Sequence, residues 1–256
     1  MILTIDIGNT TIQGGIFDES GKNILIFRRS TNKDLSSDEI GLFLRNVIEL
    51  NGLDYKTINQ IACCSVVPSL NYSVANAFKK YFSVEAIFVQ AGIKTGLKLK
   101  YSNPKEIGAD RIAAAIGACN IEQNKNLIVI DMGTATTIDI ITKEKEYLGG
   151  AILPGIKMSS SALSSGTAKL PAVEIVKPER ACPASTVEAI QAGIYYGQLG
   201  AIKELISLFT EDVLKGEKPF VIGTGGFSRL FENEQIFDSI VPELVHLGLK
   251  KVLEIN

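Results

Sequence analysis

Two stretches decide how this chain is read: Ile5-Asp6-Ile7-Gly8-Asn9-Thr10-Thr11-Ile12, and Ile130-Asp131-Met132-Gly133-Thr134-Ala135-Thr136-Thr137-Ile138. Each follows an apolar run of strand character. Each carries an aspartate into a glycine turn and continues into a segment that reads as the returning strand of a hairpin. They stand about half the chain apart, and such self-similarity predicts a duplicated architecture. The expected division is a first domain over residues 1–123 and a second over 124–256, with the break at Asn124-Lys125-Asn126.

Outward from the first turn, strands are expected over 2–7, 11–18 and 23–30. Ile40, Phe43, Leu44, Val47 and Ile48 have the spacing of an amphipathic helix over 37–51, stopped by Asn51-Gly52. A buried strand over 60–67 closed by Pro68, a helix over 69–81 and a strand over 84–90 follow. This β-β-β-α-β-α-β order implies an α/β unit with a mixed sheet. A helix over 109–123 leads to the second turn. Beyond it come paired strands over 137–142 and 146–152, and a long helix over 186–209 with Ser185 or Thr186 as its cap. A strand over 219–223 and a helix from about Ser228 close the pattern. The glycine- and serine-rich stretch between Gly149 and Pro171 suits a mobile loop near a site.

The 256 residues are 46% hydrophobic and 21% charged with a net charge of −2, the composition of a globular protein with a substantial core. Basic residues are scattered, so no global field recruits nucleic acid or an anionic membrane. No apolar run approaches a membrane span, and the N-terminus lacks the pattern of a signal peptide. Cys63, Cys64, Cys119 and Cys182 contain no CxxC spacing and read as buried thiols of a reducing cytosol rather than as a zinc site. His246 is the only histidine and reads as an ordinary loop or element-end residue. Chemistry is therefore expected from carboxylates, backbone amides and bound cations.

At the first turn a strand presents Asp6, Gly8 lets the backbone approach a ligand, and Asn9, Thr10 and Thr11 add donors. Such a concave set suits phosphate oxygens, with Mg²⁺ between Asp6 and the phosphates. The alternative is a hairpin whose Asp and Asn merely satisfy turn amides. The second turn, at Asp131, repeats the chemistry and favours a pair that grips a nucleotide polyphosphate, as in an ATP-dependent small-molecule kinase. Gly223-Thr224-Gly225-Gly226 lacks the third glycine of a dinucleotide fingerprint, and no Gly-Lys-Ser/Thr ending occurs. Its glycines suit either a flat base or ribose against the backbone or a close helix–strand contact. Asp110-Arg111 after Gly108 reads either as helix capping and surface charge or as a proton acceptor beside a guanidinium that binds a carboxylate.

Together these motifs, with Lys94-Thr95-Gly96-Leu97, Tyr101 to Arg111, Gly149 to Gly155 and Thr186-Val187-Glu188-Ala189-Ile190, resemble the type III pantothenate kinases along nearly the whole chain. The resemblance implies two ribonuclease H-like domains around a central cleft, as in the acetate and sugar kinase, Hsp70 and actin superfamily. It implies transfer of phosphate from ATP to pantothenate by a cytoplasmic homodimer, with pantothenate near the subunit interface. By position, Asp6, Ile7, Gly8, Asn9, Thr10, Thr11, Ile12, Gln13 and Thr134 would bind ATP. Tyr101, Gly108, Ala109, Asp110, Arg111 and Thr186 would bind pantothenate, with Asp110 as proton acceptor. Asp131 would hold K⁺ or NH₄⁺. Two positions depart from the family pattern: Gly166 stands where a basic residue is common, and Ser185 where Asn is common. The rival readings are a related kinase with a sugar or acetate acceptor, and a nucleotide-binding regulator on the same fold.

Overall fold

The structure is a computed structural model that describes residues 1–256. It divides into two compact units that are not contiguous in sequence. One comprises Met1–Leu97, Tyr101–Ile121 and Leu244–Asn256; the other comprises Lys98–Lys100 and Glu122–Glu243. A division at 123/124 therefore misplaces the C-terminal segment, which packs with the first unit. Elements are numbered along the chain.

The first unit has strands β1 (Ile2–Ile7), β2 (Thr11–Phe17), β3 (Asn23–Ser30), β4 (Gln60–Ser65) and β5 (Ile87–Phe88) in the order β3-β2-β1-β4-β5. β1, β2 and β3 are antiparallel neighbours, whereas β4 runs parallel to β1 and β5 parallel to β4. Helices α1 (Ser37–Leu50) and α2 (Pro68–Phe82) cover one face. α1 starts with a capping box in which Ser36 and Glu39 satisfy each other's backbone N–H. Pro68 opens α2 at the position where a missing N–H costs nothing. Because side chains alternate along a strand, Leu3, Ile5 and Ile7 enter the core beneath α1 and α2, with Ile61 and Cys63 of β4. Thr4 and Asp6 belong to the other face. That face carries α3 (Ala109–Ile121) and α6 (Leu244–Ile255), which pack on each other and on β1 and β4.

The α3–α6 contact is glycine-lined. A Cβ on Gly248 would fall on the Ala113 carbonyl, and one on Gly117 on the Leu244 carbonyl. His246 does lie near an element end, as the third residue of α6, but it is fully buried there and not an ordinary surface residue. Its Nδ1 lies 2.9 Å from Thr4 Oγ1, whose hydroxyl donates to Gly15 O at 3.1 Å. With that proton committed, Nδ1–H must donate to Thr4, which leaves Nε2 a bare acceptor without a partner. Burial holds the imidazole neutral, with its pKa pushed down to about 4.

The second unit repeats the sheet. β7 (Leu127–Met132), β8 (Ala135–Ile141), β9 (Glu146–Pro154), β10 (Phe220–Thr224) and β11 (Ser239–Ile240) are ordered β11-β10-β7-β8-β9, and β6 (Lys98–Leu99) is added beside β9. α4 (Ile156–Gly166) and α5 (Thr186–Leu208) supply its helices, with Ile190, Ile194 and Ile202 of α5 in the core. Ser185 caps α5 by accepting the Glu188 N–H.

Three expectations about elements change. The strand over 84–90 shrinks to β5 because this edge strand finds a ladder only at Ala62 and Cys63. The helix from Ser228 is a short 3₁₀ segment, Ser228–Glu234, ended by left-handed Gln235. The serine-rich mobile loop is in fact α4, which buries only Ile156 and Ser160 and so shows little periodicity. The two hairpins also differ in length. β1 and β2 last pair at Ile7 and Ile12, leaving Gly8 to Thr11 as the tip; β7 and β8 last pair at Met132 and Thr136, leaving only Gly133 to Ala135. Ile138, opposite Ile130, therefore matches Gly14, opposite Ile5, and not Ile12.

Candidate active site

Asp6 lies at the carboxyl end of β1, one residue before the strand ends, directly across from Cys64 of β4. In a sheet with parallel neighbours this end is where ligands bind. The Cys64 thiol donates to Asp6 Oδ1 at 3.2 Å. Burial, and then the negative charge of Asp110, push the Asp6 pKa up to about 7, against the pull of the thiol bond. The same burial, reinforced by Asp6, holds the thiols of Cys63 and Cys64 well above their ordinary range. Cys64 is therefore a protonated donor and not a nucleophile. Read from sequence as a bland buried thiol, it stands at the site. Its relation to Asp6 follows from the parallel pairing of β4 with β1, which the expected strand over 60–67 did not specify.

The first turn closes with Gly8 N–H donating to Thr11 O at 3.0 Å. A Cβ on Gly8 would sit 3.1 Å from that oxygen. Asn9 and Thr10 are exposed at the tip, and Gln13 is half-buried opposite Asp6. Ile7 and Ile12 send their side chains into the apolar core, so a ligand at this turn meets only their backbone.

α3 begins at Ala109 immediately after Gly108, whose carbonyl accepts the Ile112 N–H at 3.1 Å. Asp110 folds back on its own helix start, its Oδ1 accepting the Arg111 N–H at 2.8 Å. A Cβ on Gly108 would land on that same carboxylate oxygen, so glycine is what allows this rotamer. The α3 start thus brings Asp110 into electrostatic contact with Asp6 inside one unit. Arg111 is buried, and Tyr101 is partly exposed in the segment leading to α3.

In the second unit Asp131 faces Thr137 on β8 and Thr224 on β10. Its turn closes with Gly133 N–H donating to Ala135 O at 3.0 Å, and Thr134 is exposed at the tip. Gly225, at a φ of 84°, presses against this turn: a Cβ there would fall on Asp131 Oδ1 and on the Met132 backbone. Gly155 meets the Gly133 and Thr134 carbonyls in the same way. One glycine of Gly223-Thr224-Gly225-Gly226 thus makes a close backbone contact with the second turn, while Gly226 faces open space. Thr186 is the exposed first residue of α5, and Gly166 ends α4 on the surface.

Two sheets that share one strand order, each presenting an aspartate before a glycine turn, define a protein of the duplicated ribonuclease H-like fold. Solved structures agree on the fold. A Campylobacter jejuni protein described as a conserved Baf-family transcriptional activator matches with a TM-score of 0.62 at 24% identity, over 98% of this chain and 97% of that one. A Sinorhizobium meliloti protein assigned as a 2-dehydro-3-deoxygalactonokinase matches with a TM-score of 0.58 at 11% identity, over 99% and 96%. The family model of type III pantothenate kinase covers residues 2–208. A type III pantothenate kinase of Legionella pneumophila (strain Corby) is 50% identical over 256 residues, spanning 100% of this chain and 99% of that protein. The chain belongs to the type III pantothenate kinase family.

Proposed function

We propose that the protein transfers the terminal phosphate of ATP to pantothenate, giving 4'-phosphopantothenate in the first step of coenzyme A biosynthesis. The observation that carries this reading is the pairing of Asp6 with Asp110: the phosphate-side carboxylate and the acceptor-side carboxylate sit within electrostatic reach in one unit. In this reading residues 6–13 line the phosphates. Asp110 orients the primary hydroxyl of pantothenate and takes its proton, and Arg111, with Tyr101 and Thr186, holds the rest of the acceptor. Such transfer depends chiefly on alignment and charge stabilisation.

The side chains present fit the expected cations. No three His, Cys, Asp or Glu side chains cluster as a complete metal cage. Asp6 and Asp110 instead form a partly buried like-charged pair, a donor set suited to Mg²⁺ that takes its other ligands from phosphate and water. Asp6 would hold Mg²⁺ and Asp131 the monovalent cation. The metal, when bound, neutralises phosphate charge. We place the enzyme in the cytoplasm as a homodimer. No helix is long and apolar enough to cross a membrane.

The test is a coupled ADP-release assay with ATP and a panel of acceptors, in K⁺, NH₄⁺ or Na⁺. Turnover with pantothenate, and not with sugars or acetate, is expected, with higher rates in K⁺ or NH₄⁺. Equal rates in all three salts would remove Asp131 from its role. ATP binding without turnover of any acceptor would overturn the kinase reading.

A further inference from the structure

Thr31 lies just beyond β3, outside every motif that carries the family resemblance, yet it is tied to the first turn twice. Its backbone N–H donates to Thr10 O at 2.9 Å. Its hydroxyl donates to Gly8 O at 2.7 Å, a shorter bond than the one that closes the turn itself. With Gly8 N–H bonded to Thr11 O, the carbonyls of Gly8, Thr10 and Thr11 are all engaged within the protein.

That polarity matters for an anion. Carbonyl oxygens repel phosphate oxygens, whereas N–H and hydroxyl groups attract them. A short glycine-containing tip such as Gly8-Asn9-Thr10 has little to stop its peptide planes from rotating, because Gly8 adopts many conformations at small cost. Locking the Gly8 and Thr10 carbonyls inward leaves the donor side of the exposed tip outermost. The second turn is held differently: the Phe227 N–H, in the segment after β10, donates to Met132 O at 3.2 Å. This turn is one residue shorter, and Gly155 and Gly225 pack against its backbone.

We propose that Thr31 is a positioning residue for ATP: by holding the Gly8 and Thr10 carbonyls, it fixes the first turn in the donor-outward shape that receives the phosphates. The proposal rests on the reading of residues 6–13 as the phosphate turn. Thr31 itself touches no substrate. Its hydroxyl contributes a single neutral hydrogen bond, so its loss should weaken ATP binding roughly threefold to tenfold.

The experiment compares wild type with Thr31→Val, which keeps the shape and loses the hydroxyl, and with Thr31→Ser, which keeps the hydroxyl. ATP dissociation constants are measured by calorimetry without pantothenate, alongside the KM of each substrate and the melting temperature. Thr31→Val should raise both the ATP dissociation constant and the ATP KM by that factor while the pantothenate KM stays within about twofold, and Thr31→Ser should restore ATP binding. A purely structural role would lower the melting temperature in Thr31→Val without changing ATP affinity, and that result overturns the proposal. So does a Thr31→Ser protein as impaired as Thr31→Val. Gly8→Val separates the two levels of the argument. If it weakens ATP binding while Thr31→Val does not, only the latch fails; if neither variant affects ATP binding, the phosphate-turn reading fails with it.

Discussion

In the proposed reading Asp110 serves the acceptor and Asp6 the phosphates, and each role can be tested alone. Asp110→Asn retains size and hydrogen-bonding reach but cannot take a proton. It is expected to lower kcat by about 10²–10⁴ with an unchanged circular dichroism spectrum and an ATP KM near wild type. Near-normal turnover would take Asp110 out of the acceptor role. Asp6 makes a prediction about stability. Its carboxyl is held at about 7, so between pH 4 and 7 the folded chain keeps a proton that the unfolded chain releases. Stability contributed here is present at low pH and is lost as pH rises through that window. The loss should be about 1–3 kcal/mol, towards the lower side because Asp6 keeps some solvent contact. His246 acts with the opposite sign, because its pKa lies below the ordinary value. The informative quantity is therefore the difference between Asp6→Asn and wild type. In EDTA, the melting temperature of Asp6→Asn should gain on wild type from pH 5 to pH 8. Parallel curves would show that the Asp6 carboxyl is not perturbed.

Among the elements, the α3–α6 contact is the one through which packing reaches the site. α3 begins with Gly108 and Asp110, and α6 lies against it at Gly117 and Gly248. Gly248→Ala puts a methyl onto the Ala113 carbonyl. The expected cost is roughly 1–3 kcal/mol, read as a lower melting temperature. An unchanged melt would mean that α6 can lift away from α3 without penalty. The hairpins and α1, α2, α3 and α5 were legible in the sequence, because strand alternation, caps and apolar spacing all agree there. α4 was not, since a helix with only Ile156 and Ser160 buried leaves no stripe. α6 was obscured differently: Gly248 and His246 fall on its buried side, where a pattern search expects aliphatic residues. The aspartates and glycines of both turns could be read directly. Cys64 and Thr31 could not, because their relation to the first turn depends on strand register and on the path of the chain after β3.

On the scale of the whole molecule, duplication was visible and its true partition was not, because a repeat in sequence says nothing about where the last helix docks. The first unit needs Leu244–Asn256 to cover the Thr4 and Asp6 face of its sheet. A fragment ending at Ile121 should therefore lack a cooperative melt. Joining residues 244–256 to it through a flexible Gly/Ser linker should restore one, as followed by near-ultraviolet circular dichroism. A cooperative melt in the short fragment would show that α6 is dispensable to the unit.

The split first unit also sets an order of events during synthesis. Domains ordinarily fold as they emerge, the N-terminal one first. Here the unit that holds Asp6 and Asp110 is begun first and completed last, since its closing helix lies beyond the entire second unit. A nascent chain therefore carries an uncovered sheet face while the second unit is being made. A ribosome that stops before Leu244 releases a polypeptide that carries both glycine turns and a first unit whose sheet face is still uncovered.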